Sequence, residues 1–147
     1  MNITDKYNMT QEENIFYAKR NLVDSIWKEA MLEGVPFTFP ETQTIVEGMK
    51  LDGKKEDDIV KVRNLKHSWE FLFDSIDYPL DFRYIKQMNH EIGKEGIALN
   101  AGMRRNSEVS IGSTEWKPAI PDEEIVQGEI KEILSHYYPG TEITEIS

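Results

Sequence analysis

Cysteine is absent from the 147 residues of this chain, which excludes disulfides, zinc–thiolate centres and cysteine nucleophiles. Positive charge is scarce: 17 lysines and arginines stand against 27 aspartates and glutamates, a formal net charge of −10. A surface of that sign repels phosphate backbones and anionic lipids, which excludes a general basic face for nucleic acid or membrane. No apolar run approaches the ~18 residues of a bilayer-spanning helix. The opening Met1-Asn2-Ile3-Thr4-Asp5-Lys6 lacks the basic-then-apolar order of a secretory signal, so the expected address is the cytosol. Histidine occurs three times, as His67, His90 and His136, and none has partners in a pattern that suits a metal triad. Each reads as a surface or helix-cap residue. Glycine-rich phosphate loops and a serine nucleophile elbow are also missing.

What is there has ordinary globular composition, with 39% hydrophobic and 30% charged residues, enough for one domain with a real core. The periodicity predicts mainly α structure. Thr10-Gln11-Glu12-Glu13 has the form of a capping box, and Leu22/Val23, Ile26/Trp27 and Ala30/Met31 continue an apolar stripe, predicting one helix over 10–33. A short helix is predicted over 40–49, closed by Gly48. A helical core follows over 55–93, interrupted at Tyr78-Pro79-Leu80 and recapped by Asp81. Over 97–118 the period changes, and Val109-Ser110-Ile111 alternates as a strand would, predicting a small β-hairpin flap. A last helix is predicted over 121–136.

The paired carboxylates Glu12/Glu13, Asp57/Asp58 and Glu123/Glu124 diverge by ~100° on a helix and sit in first turns, so they read as capping and dipole residues. Two segments invite more than that. Glu47-Gly48 closes a helix too short to add much to a core; Glu47 is either a solvated end residue beside a glycine cap or a functional carboxylate. Gly102 to Gly112 sets Arg104 and Arg105 beside a β-capable edge in an acidic chain. It reads either as an ordinary hairpin or as an edge that accepts an extended peptide, with arginines to orient carboxylates or phosphates.

Taken in order, these segments resemble the N-terminal half of the Fic family (filamentation induced by cyclic AMP). Thr44-Ile45-Val46-Glu47-Gly48 resembles the family's inhibitory helix, and Asn64-Leu65-Lys66-His67-Ser68-Trp69-Glu70-Phe71 the helix that follows it. Gly102-Met103-Arg104-Arg105 through Val109-Ser110-Ile111-Gly112 resembles its flap, Gly-x-x-Arg-x-x-x-Val-x-Ile. Trp116-Lys117-Pro118 and Pro121 resemble its proline-bearing return, and the similarity spans 39–134. The resemblance implies a partial Fic-like helical fold and transfer of AMP from ATP, with Mg2+, to a protein hydroxyl. It implies that Glu47, beside Gly48, is the inhibitory glutamate that occupies an active-site arginine in place of phosphate. It further implies that Gly102, Arg105, Val109, Ser110, Ile111 and Gly112 form the edge on which a protein substrate docks.

Two departures stand out. The family has Ser or Thr four residues before the glutamate, where this chain has Gln43. Its catalytic motif, His-x-Phe-x-Asp/Glu-Gly-Asn-Gly-Arg, does not occur, and its expected place lies just beyond Ser147. No catalytic residue and no metal ligand is therefore assigned, and the chain alone is expected to be inactive and to bind neither ATP nor Mg2+ tightly. Its expected partners are a protein substrate and a catalytic half or a second copy. The alternative is a non-enzymatic, antitoxin-like module acting on a separate Fic catalytic partner.

Overall fold

The computed structural model describes residues 7–110, 112 and 114–136. Among them the chain forms six helices: α1 (Gln11–Arg20), α2 (Leu22–Leu32), α3 (Phe39–Val46), α4 (Glu56–Asp74), α5 (Phe82–Gly93) and α6 (Glu123–His136). The mainly α expectation is met. The hairpin is not: no described residue of 97–118 lies in a strand, and Ile111 and Ser113 fall outside the described residues.

Both capping-box bonds of α1 form, with the Glu13 N–H donating to Thr10 Oγ1 at 3.2 Å and the Thr10 N–H to Glu13 Oε2 at 2.8 Å. The single helix predicted over 10–33 is in fact two. Asn21 leaves helical geometry at φ −101°, ψ 10°, and its side-chain amide donates to Tyr17 O at 2.8 Å, competing with the main chain for the terminal carbonyls. The break matters because α1 buries none of its residues. The stripe therefore reaches the core only from α2, through Ile26 and Ala30.

Helix α4 is the centre, with α2, α3 and α5 packed around it. Ile59, Val62 and Leu65 of α4 meet Ile26 and Ala30 of α2, Val35 and Phe37 of the connecting loop, and Ile45 of α3 in one buried cluster. The loop is fixed to α2 by Trp27 Nε1, which donates to Phe37 O at 2.9 Å. The buried amide of Asn64 spans to the end of α5, donating to Ile92 O at 3.2 Å and Lys94 O at 2.8 Å. Helix α6 packs on α5 and leaves Ile125 and Ile133 exposed. No helix among the described residues is long and apolar enough to cross a membrane.

Helix α3 is anchored at its start by a second capping box, in which the Thr38 N–H donates to Glu41 Oε2 at 2.8 Å. Lys54 closes on the same carboxylate at 2.6 Å. The Lys54 bond first, and the Thr38 bonds after it, hold the Glu41 carboxyl down to about 2. A group depressed in the folded state contributes stability above its unfolded value of ~4.3 and loses it as pH falls toward the folded value. The stability difference between the wild type and Glu41→Gln is therefore expected to shrink as pH falls from about 5 to about 2. Thermal melts of both proteins across that window check it; a constant difference would count against the assignment.

Candidate functional site

Helix α3 carries Glu47 at its C-cap, with φ −75° and ψ 0°. The helix can hold that residue firmly because its inner face is locked: Thr42 is fully buried and Ile45 is 6% exposed. After Glu47 the chain reverses through Gly48 at φ +79°, where nothing lies within 4 Å of an added Cβ. Glycine is therefore required here for backbone conformation and not for space. The Gly48 N–H donates to Ile45 O and the Met49 N–H to Thr44 O, each at 2.9 Å, closing the helix end.

The departure at position 43 acquires a role in this geometry. Gln43 Nε2 donates to Glu47 Oε1 at 2.7 Å, the i, i+4 contact of one helix face. Thr44, one residue past the family's Ser/Thr position, turns instead to Pro40 O at 2.9 Å. Among the described residues no lysine or arginine pairs with Glu47. The carboxylate is exposed, oriented, and without a cation.

The second predicted site lies beyond α5. Gly102 is buried at φ +74°, and its N–H donates to Asn89 Oδ1 at 2.8 Å. Arg105 does not stand ready for an incoming anion. Its guanidinium donates to Ser107 O and to Ala119 O, both at 2.6 Å, and Arg104 donates to Pro121 O. A guanidinium has five donors in a rigid fork, and here they gather separate stretches of irregular chain that have no ladder to hold them. The flap residues thus form an arginine-stapled loop instead of a hairpin. Val109, Ser110 and Gly112 are exposed along it, and no main-chain bond to Val109 or Ser110 occurs among the described residues. The two predicted sites stand on different elements, α3 and the loop after α5, and no hydrogen bond or ion pair among the described residues joins them.

The histidines also stay apart from any metal geometry. No group of three or more His, Asp or Glu residues among the described ones could hold an ion. His67 is half-buried on α4, where its Nδ1 has no partner among the described residues. His90 is exposed, with Nδ1 3.4 Å from Ala101 O. His136 ends α6.

Three concavities among the described residues border α5. A groove of about 1070 Å3 runs between α5 and α6 past Leu80, Phe82, Ile130 and Leu134. A cleft of about 360 Å3 between α2, α4 and α5 has Leu65, Trp69 and Ile92 in its walls and Glu29 at its edge. Burial raises the Glu29 carboxyl, against the smaller opposing effect of a bond from Trp69 Nε1 at 3.2 Å. The third, of about 290 Å3, is bounded by Arg83, Lys86 and His90 of α5 and by Gly102. Motif and stripe patterns pass over this basic row, although its spacing along one helix is a usable signal in so acidic a chain.

Set beside other proteins, the chain matches no protein-family model, no curated protein and no solved structure.

Proposed function

We propose that this chain is the regulatory and target-docking part of a Fic-type system that transfers AMP from ATP to a protein hydroxyl. The observation that carries the reading is Glu47: an exposed carboxylate with no cationic partner among the described residues, oriented by Gln43 at 2.7 Å at the end of a helix whose opposite face is locked into the core. A carboxylate presented in this way is suited to occupy an arginine of a catalytic site, because it competes with phosphate for the same charge-assisted bonds. While it does so, its negative charge also repels the phosphate that must enter. Gln43 takes over the orienting role at the position where the family carries Ser or Thr. The exposed Val109–Ser110 stretch, with unused main-chain groups, is the surface on which an extended target segment pairs. Arg105 acts there as the staple that shapes the loop. The general base, the metal ligands and the phosphate nest belong to a segment that carries the His-x-Phe motif, either covalently joined to this chain or on a separate partner.

The test combines this chain with a Fic catalytic segment, once fused as a single polypeptide and once mixed as two separate proteins. It follows label transfer from ATP labelled in its α-phosphate. The chain alone is expected to transfer nothing. In the combined system Glu47→Gly is expected to raise transfer by roughly 10- to 100-fold, corresponding to the ~1.5–3 kcal/mol of a hydrogen bond to a charged group. Equal transfer by wild type and Glu47→Gly would remove the inhibitory role, and labelling by the chain alone would overturn the division of labour. Inhibition only in the fused protein favours an autoinhibited enzyme, whereas inhibition on mixing favours an antitoxin-like module.

A further inference from the structure

Arg83, Lys86, Gln87 and His90 are spaced by three, one and three residues on α5, which sets them along one helix face. Opposite that face the chain turns through Ala101 and Gly102, and these six residues line an open cleft of about 290 Å3. The turn approaches so closely because residue 102 is glycine. A Cβ there would stand 2.9 Å from His90 Cβ and 2.9 Å from Lys86 O.

Among the described residues Arg83, Lys86 and His90 form no salt bridge. The nearest carboxylate in sequence, Glu91, is already engaged by Lys94 at 2.6 Å and Gln87 at 2.8 Å. Lys86 Nζ lies 5.5 Å from the centre of the Phe82 ring, which orients the ammonium and leaves its charge unneutralised. His90 Nδ1 faces Ala101 O at 3.4 Å, so Nε2 is the ring nitrogen left for another partner. A protein of net charge −10 has little general attraction for anions. Three basic side chains around one concavity, none of them in an ion pair among the described residues, therefore call for a specific explanation.

We infer that the cleft between α5 and the Gly102 turn binds a phosphate monoester. The Arg83 fork and the Lys86 ammonium contact the phosphate oxygens directly, and His90 Nε2 supplies a third contact. A monoester carries about −1.5 to −2 charge at pH 7 with three acceptor oxygens, which matches two permanent cations and three donor groups better than a single carboxylate does. The inference stands on this cleft alone and is independent of the reading of Glu47. The bearer of the phosphate is either a free nucleotide or a phosphorylated protein side chain, and the chemistry of recognition is the same.

The experiment is an NMR titration of the full chain with inorganic phosphate at fixed pH, with ionic strength held constant by chloride. Saturable shifts are expected at the amides of Lys86, Gln87, His90, Ala101 and Gly102. The double variant Arg83→Gln/Lys86→Gln is expected to weaken binding by about tenfold or more, in line with the loss of charge-assisted bonds. Lys50→Gln, remote from the cleft in sequence, should leave it unchanged. Titrations with a nucleoside monophosphate and with a phosphoserine peptide then identify the bearer, and tighter binding of either than of inorganic phosphate supports the site. If neither binds more tightly, the monoester assignment fails. Shifts that do not saturate, or that spread over lysines throughout the chain and survive the double substitution, overturn the site itself.

Discussion

Ile26→Ala is expected to destabilise the protein by about 2–5 kcal/mol, the range for removing a large aliphatic side chain from a packed interior. Ile26 is 0% exposed and belongs to the cluster that joins α2, α4, the loop after α2 and α3. Its neighbours include Val62, also 0% exposed, and Phe37, whose positions are set by different elements and cannot all collapse into the space left behind. The upper part of the range follows from that limited relaxation. Small domains have roughly 5–15 kcal/mol in total, so this one change removes a large share of the folded state's margin. Urea denaturation checks it: the midpoint should fall while the slope stays constant. A loss below about 1 kcal/mol would mean that α2 does not dock as described. Because Ile45 of α3 shares this cluster, the same substitution loosens the mount of Glu47 and should weaken any inhibition that depends on it.

Asn64→Ala should cost about 2–4 kcal/mol, by a different route. The side chain is 0% exposed and its amide supplies two bonds, to Ile92 O and Lys94 O. Truncation removes both donors and strands two carbonyls at the end of α5, each costing about 1–3 kcal/mol where water cannot replace the bond. The backbone just beyond is already unusual. Glu95 has φ +58°, a left-handed conformation that a non-glycine residue adopts at some cost and that the surrounding contacts must impose. Asn64→Ala should therefore accelerate amide hydrogen exchange across 92–97 more than across α2. Asn64→Asp is the sharper control, since it keeps the volume but replaces the donor with a charge facing two carbonyl oxygens. If both variants melt like the wild type, Asn64 does not tie α5 to α4.

How much of the fold is legible in the sequence depends on the range of the interactions involved. Helix starts are legible because their signals are local. Thr10 with Glu13, and Asp81 before α5, satisfy N–H groups within three residues, and Gly48 marks a helix end by its own φ. The break at Asn21 is not legible, because a polar residue in an apolar stripe does not announce whether its amide will turn to solvent or to the carbonyl of Tyr17. The hairpin expectation fails for a related reason. Alternation at Val109 and Ser110 indicates extended chain, but a strand exists only where a second stretch of backbone pairs with it. Arg105 instead binds the chain to Ala119 through its side chain.

The candidate site follows the same division. Glu47 can be singled out from sequence because Glu-Gly closes a short helix, and Gln43 can be placed one turn before it. Neither observation fixes which face of α3 is buried; Thr42 and Ile45 decide that by their burial. The basic row on α5 is written in its spacing, yet its importance depends on Gly102 arriving opposite it from further along the chain. By itself the sequence determined that this is an acidic, cysteine-free, mainly helical protein with well-marked helix ends, because composition and capping act over a few residues. The tertiary structure alone decided that Glu47 faces outward, that Arg105 is engaged and that Arg83, Lys86 and His90 form no ion pair among the described residues. Those outcomes depend on burial and on partners brought together from distant parts of the chain.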